Sequence, residues 1–296
     1  MINITADHEG GCLDRAVKCA EDFYALLLRP DTWYYFNFKI TGCKGKNIIF
    51  QFMCRDNLAP DHNEGRHRWL YGGYIEKPLV SYDNGKSFTD PVTVPISSPH
   101  GPCVLSDGTI LYVGRLFDDV GKESHIECHT VSEDGKCTFR SRIADISPEL
   151  LSCEPHAIQL SSGRIVVHIR VQDNKGKTFT TYQSISDDMG YTFTKPVQLL
   201  GDKGGAPAHI LEHSSGAVVS VYGYREKPYG IRAMISKDNC ESFDTDLIIT
   251  DEEPTPDLGY PASAELSDGS ILTVYYTRDS KTSASVIKQI IWRIEE

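Results

Sequence analysis

The sequence predicts an all-β chain of repeated four-stranded units, on three observations. A hairpin pattern of apolar run, glycine turn and second apolar run recurs in GPCVLSDGTILYVGR (101–115), EPHAIQLSSGRIVVHIR (154–170), PAHILEHSSGAVVSVYGYR (207–225) and YPASAELSDGSILTVYYTR (260–278). Its turn glycines, Gly108, Gly163, Gly216 and Gly269, are spaced by 53 to 55 residues. Between the hairpins lies a second periodic signal, SYDNGKSF (81–88), SEDGKCTF (132–139), SDDMGYTF (186–193) and SKDNCESF (236–243), whose serines are 50 to 54 residues apart. Two interleaved turns in one period imply four strands per unit, and four-stranded units repeated around an axis make a β-propeller.

Taken in order, residues 1–95 carry the less regular part. AVKCAED, FYALLLRP, TWYYFNFKI, NIIFQFMCR and YIEKPLVSYD read as strands, enough for two blades. Residues 100–296 supply four regular repeats, so the expectation is a single domain over 1–296 with six antiparallel four-stranded blades; five blades plus an N-terminal appendage is the alternative. The final strand, in SASVIKQIIWRIE, has no second turn signal after it, so an N-terminal strand is expected to complete the last sheet and remove its free edge.

Composition narrows the function. A net charge of −11 and a pI near 5.4 argue against a general nucleic-acid binder, which needs a basic surface. No window approaches the length of an apolar membrane span, and the opening MINITADHEGG lacks the basic and apolar regions of a signal peptide. The chain as written is therefore expected in the cytoplasm, or secreted if a leader has been removed. Nine cysteines without a C-x-x-C pair point to buried small apolar residues rather than a disulfide framework or zinc site. No cofactor or metal is expected.

The hairpin topology puts the start of each inner strand and the end of the next strand on one face, away from the second set of turns. On that face fall His100, Glu154, His156, His209 and Tyr260 at strand starts, and Arg115, Arg170, Arg225 and Arg278 at strand ends. This convergence of titratable groups is the expected pocket. Each arginine also has a plain alternative, pairing with a carboxylate of a neighbouring blade. The histidines have one too, as hydrogen-bonded spacers.

The second periodic signal resembles the Asp-box, S-x-D-x-G-x-[ST]-[WF], of sialidases and related propellers. Its aspartate accepts backbone N–H groups across a turn, and the boxes are expected to be fasteners, not calcium or substrate sites. The 132 copy has its glycine one position early, and Cys240 stands where glycine is usual in the last. From about residue 75 to 280 the chain resembles the sialidase-like glycoside hydrolases, most specifically in EPHAIQLSSGRIVVHIR, where an arginine follows a glutamate by sixteen residues.

That resemblance implies a retaining hydrolase for a carboxylate-bearing sugar. In it Tyr260 would be the nucleophile, Glu154 its activating base, and Arg170 and Arg232 two of three arginines gripping the substrate carboxylate. Arg115, Arg225, His156 and His209 line the same expected pocket. A tyrosine has an ordinary pKa of about 10, so a neighbouring carboxylate must take its proton if it is to attack at neutral pH. The family's N-terminal arginine motif has no counterpart in TWYYFNFKITG. The acid/base aspartate is expected in RDNLAPDHNEGRHR, which offers Asp56 and Asp61; Asp61 is carried forward, and Arg55, Arg66 and Arg68 are substitutes for the missing arginine. A uronate polysaccharide lyase and a non-catalytic glycan- or protein-binding propeller are the alternative functions.

Overall fold

The β-branched and aromatic runs form antiparallel ladders in the computed structural model. It describes residues 94–116, 125–132, 136–282 and 285–295, with five short strands at Tyr34–Tyr35, Ile48–Phe50, Met53–Cys54, Ile75–Glu76 and Leu79–Ser81. Three of the four repeats are built alike. One sheet runs Leu150–Gln159, Ile165–Asp173, Phe179–Ser186 and Val197–Gln198 from inside outward, and the next runs Ala208–Glu212, Val218–Tyr224, Gly230–Ser236 and Asp244–Thr250. The last has Gly259–Glu265, Ile271–Arg278 and Ser285–Trp292, three strands among the described residues. In the first repeat, Ile110–Leu116, Ile126–Val131 and Cys137–Arg142 follow an inner edge split between Ile96–Ser97 and Cys103–Val104.

The fold is thus all-β, of antiparallel four-stranded sheets that pack as in a β-propeller. The strand expected to complete the last sheet, and the two N-terminal blades apart from the short strands named above, lie outside the described residues. So do Asp56, Asp61, Arg55, Arg66 and Arg68. Among the described residues no helix is long and apolar enough to cross a membrane.

The sheets bury their faces against one another. Leu111, Val113 and Cys128 of the first described sheet pack on Ile165, Val167 and Ile169 of the second. Val166 and Leu160 of the second meet Ile210, Val218 and Cys240 of the third, and Val219, Val221 and Ile231 of the third meet Ile271 and Tyr275 of the fourth. Each such aliphatic side chain contributes roughly 1.5–3 kcal/mol by burial.

Polar contacts set the register between these apolar faces. At the hairpin-turn end, Ser161 donates N–H and Oγ–H to the Glu212 carboxylate at 2.7 and 2.6 Å, and Ser214 does the same to Glu265. Ser106 donates its N–H to Gln159 Oε1 at 2.6 Å. In the SDDMGYTF turn, Asp188 accepts from Thr192 N–H at 2.9 Å and Oγ–H at 2.6 Å, while Gly190 N–H donates to Ser186 Oγ at 2.9 Å. Asp238, Ser242, Cys240 and Ser236 repeat the pattern. The side-chain and backbone donors of Thr192 and Ser242 hold both aspartates down at about 2.

Carbonyls of these turns face the preceding blade. Met189 O and Gly190 O accept from Arg140 and Ser141, and Cys240 O accepts from Gln183. Cys240 takes φ 67° and buries its thiol completely in the seam between the blades, which explains how a side chain stands at a glycine position. Five described cysteines are free, and burial pushes the Cys128, Cys153 and Cys240 thiols up to about 12.

His168 lies fully buried between two blades, with Nδ1 2.8 Å from Ser220 Oγ and Nε2 3.2 Å from Gln183 Oε1. Burial lowers its pKa to about 4, the Gln183 contact opposing only in part. In the unfolded chain the ring takes a proton at about pH 6.5, while the folded chain keeps it neutral to about 4. Protons therefore favour unfolding in this window: the contribution is complete above pH 6.5 and is lost as pH falls toward 4. Urea unfolding at pH 7.5 and at pH 5 should differ by about 2 kcal/mol on account of this ring alone. His168→Gln should shrink the difference by that amount.

Candidate active site

Two inner strands bend at equivalent places. The pairing of Leu150–Gln159 with its neighbour shifts register between Cys153 and His156, and that of Gly259–Glu265 shifts between Gly259 and Ala262. Glu154 and Tyr260 sit in these bulges with φ 48° and 49°, each followed by proline. The same place in the first repeat is Gly101, φ 70°, followed by Pro102. A bulge re-aims a side chain, and here both are aimed at one point.

Tyr260 donates its Oη–H to Glu154 Oε1 at 2.6 Å. Arg170, at the end of the neighbouring strand, donates from Nη1 to Glu154 Oε2 at 2.7 Å and to Tyr260 Oη at 3.1 Å. Its Nε donates to Gln172 Oε1 at 2.9 Å, and Nη2 donates to the same oxygen. Burial and the Glu154 charge hold the Tyr260 phenol well above its ordinary range, so it rests protonated. Burial works against the Arg170 charge, but the Glu154 carboxylate outweighs it and keeps the guanidinium more firmly protonated than usual.

A ring and a second cluster border this triangle. The guanidinium carbons of Arg170 and Arg225 lie 4.8 and 5.0 Å from the centroid of Phe179. Arg225 Nε donates to the Leu258 carbonyl at 3.1 Å. Tyr276, its ring 6.1 Å from that of Tyr260, donates to Asp257 Oδ1 at 2.7 Å, and Arg278 Nε donates to Asp257 Oδ2 at 2.6 Å. Burial opposes the Asp257 charge, but the Tyr276 and Arg278 donors, with the Arg278 and Arg225 charges, hold its carboxyl below the usual range.

The remaining pocket residues fall elsewhere or act differently. Arg115 ends its strand opposite Ser97 and Ile126, and its charge reaches the Cys153 thiol next to Glu154. Arg232 stacks 3.5 Å over the Tyr224 ring and pairs with Asp246 at 3.4 Å, not with the Glu154–Tyr260 pair. His156 and His209 are buried struts: their Nδ1 atoms accept backbone N–H groups of Ile210 at 2.8 Å and Ser263 at 3.3 Å in the following blade. With His100 they form a column of rings with centroids 4.8 and 4.5 Å apart. Among the described residues no group of His, Cys, Asp and Glu is arranged to hold a metal ion.

Gln172, Phe179, Asp257 and Tyr276 were not singled out by the sequence. Gln172 and Tyr276 share a strand face with Arg170 and Arg278, two residues away, a period-2 signal that was there to be used. Phe179 and Asp257 had no such marker.

Residues 61–273 match the BNR repeat-like domain family. The chain belongs to this family. Solved structures agree on the fold. A protein of unknown function from Dyadobacter fermentans is similar at 23% identity and TM-score 0.71, over 84% of this chain and 73% of that one. The NanB sialidase from Streptococcus pneumoniae is similar at 16% identity and TM-score 0.54, over 74% of this chain and 36% of its own. An ulvan lyase, solved with a glucuronate–sulfated rhamnose unit, is similar at 11% identity and TM-score 0.54, over 83% of this chain and 66% of its own. No curated protein matches.

Within this BNR-repeat site, Gly259 takes φ 128°, a conformation closed to side chains, immediately before Tyr260. Gly259→Ala should cost about 1–3 kcal/mol in urea unfolding and should displace the Tyr260 hydroxyl from Glu154.

Proposed function

We propose that the protein is a retaining, sialidase-like glycoside hydrolase acting on a carboxylate-bearing sugar. The observation that carries this reading is the 2.6 Å hydrogen bond from the Tyr260 phenol to the Glu154 carboxylate, with Arg170 bonded to both. A phenol held protonated is a poor nucleophile until its proton has somewhere to go, and Glu154 Oε1 is at hand. In the first step Tyr260 Oη attacks the anomeric carbon as its proton passes to Glu154, and an acid protonates the departing glycosidic oxygen. Water, deprotonated by the conjugate base of that acid, then displaces the tyrosine, which recovers its proton from Glu154. Asp61 is the acid in this scheme. A neutral nucleophile avoids the repulsion a carboxylate would meet from an anionic sugar, the reason sialidases depart from the two-carboxylate plan. The six-bladed count, with two blades from residues 1–95, is part of the same proposal.

A second reading draws on the Arg170–Tyr260 contact. A guanidinium beside the phenol favours a phenolate able to remove the proton α to a uronate carboxylate, which would make the protein a lyase. The two chemistries separate cleanly in solution. Elimination creates an unsaturated uronate that absorbs near about 235 nm, and hydrolysis creates none.

Screening 4-methylumbelliferyl glycosides and uronate oligosaccharides with wild type, Tyr260→Phe and Glu154→Gln tests the assignment. Tyr260→Phe should lower kcat by about a thousandfold or more, and Glu154→Gln by about 10²–10⁴, with melting temperatures recorded to separate chemistry from folding. Full activity in folded Tyr260→Phe protein would remove the tyrosine from both schemes.

A further inference from the structure

Glu154 and Tyr260 occupy equivalent bulges, but the chain holds them by different means. Arg170 ends the strand beside Glu154 and bonds the glutamate itself at 2.7 Å. Arg278 ends the strand beside Tyr260, at the same place in its repeat, and bonds Asp257 at 2.6 Å. A neutral phenol gives a guanidinium no charge to pair with, whereas the carboxylate three residues ahead of it does. Tyr276, opposite Gly259 across the ladder, donates to the other Asp257 oxygen at 2.7 Å and sets its ring 6.1 Å from that of Tyr260.

The preceding blade grips the same short segment from its other side. Arg225 Nε donates to the Leu258 carbonyl at 3.1 Å, and Gly223 lets the backbones meet, since a Cβ there would stand 2.9 Å from Gly259 Cα. Residues 257–259 are thus fixed by two blades immediately before the backbone turns through φ 128° at Gly259 and 49° at Tyr260. The second of these conformations is strained for a tyrosine and persists only where its surroundings impose it.

We propose that Asp257 is the positioning residue of the nucleophile: with Tyr276 and Arg278 it clamps the strand ahead of Tyr260 and keeps the phenol on Glu154. The inference rests on the hydrolase reading only for the step that the clamp serves. Asp257 acts by geometry, because its negative charge works against the phenolate that Tyr260 must become. Removing the charge alone would speed the attack, and removing the clamp slows it.

Steady-state kinetics on 4-methylumbelliferyl N-acetylneuraminate and glucuronide, with NMR of the same proteins labelled at tyrosine Cζ, test the clamp. Asp257→Ala and Asp257→Asn should lower kcat by about ten- to a hundredfold and move KM by less than about threefold. Tyr276→Phe, which alters no charge, should lower kcat by about threefold or more. Arg293→Gln breaks an ion pair with Asp268 at the far end of the same sheet and should leave kcat unchanged. At about pH 10.5 the wild-type Tyr260 resonance, identified by its loss in Tyr260→Phe protein, should be that of a neutral phenol. In Asp257→Ala and Tyr276→Phe it should be partly ionised, as the ring leaves Glu154 and titrates nearer the ordinary value of about 10. A kcat that holds or rises in folded Asp257→Asn, a wild-type Tyr260 resonance in Asp257→Ala, or an equal loss in Arg293→Gln would each overturn the proposal. If wild type hydrolyses neither glycoside while the NMR difference stands, the hydrolase reading fails and the clamp survives.

Discussion

Glu154 and Tyr260 are 106 residues apart in sequence, and they meet only because the blade between them keeps register with both neighbours. That register is fixed at two levels. Near the site, His156 Nδ1 takes the Ile210 N–H and His209 Nδ1 takes the Ser263 N–H, each spanning 54 residues. At the far end, Ser161 binds Glu212 and Ser214 binds Glu265, each spanning 51 residues. Apolar packing is non-directional and would tolerate a slide of one sheet over another. These hydrogen bonds do not, so the buried histidines fix the geometry of the site.

The site is built where the backbone is least comfortable. At one position of the repeat the inner strand bulges into positive φ ahead of a proline, and the first described repeat fills that position with Gly101, for which the conformation is easy. The second and fourth repeats fill it with Glu154 and Tyr260, for which it costs on the order of 1–3 kcal/mol each. A residue on the regular pleat would point into a blade face, but in the bulges Glu154 and Tyr260 are turned to meet each other. The strain is repaid in part by the hydrogen bonds that the two side chains make with each other and with Arg170.

The repeat was legible because turn chemistry is local: a glycine or an Asp-box aspartate is dictated by a few neighbouring residues and returns with the period. That Glu154 and Tyr260 share a face was legible from the topology of the repeat, Glu154 standing out as the one carboxylate there and Tyr260 through the family resemblance. The arginines were not separable from sequence, since Arg115, Arg170, Arg225 and Arg278 occupy the same repeat position and differ only in the partners the fold gives them, Glu154 for Arg170, the Leu258 carbonyl for Arg225 and Asp257 for Arg278. Phe179 was invisible for the same reason: it begins an outer strand as any aromatic might, and only the fold lays two guanidinium groups over it. Ahead of the turn signal at 81–88 the chain carries no regular period, and reading its strands rested on composition.

The triangle of Arg170, Glu154 and Tyr260 also bears on where charge would reside in the proposed proton transfer from phenol to carboxylate. At rest the negative charge is on Glu154, 2.7 Å from Arg170 Nη1; after the proposed transfer it would be on Tyr260 Oη, 3.1 Å from the same nitrogen. The donor is shared, so the transfer passes the anion between two acceptors of one cation and leaves the net charge of the buried cluster unchanged. In a partly buried site, where separating charge is far more costly than in water, that exchange is the cheap direction of movement. It asks Arg170 to stay where Gln172 and Phe179 hold it.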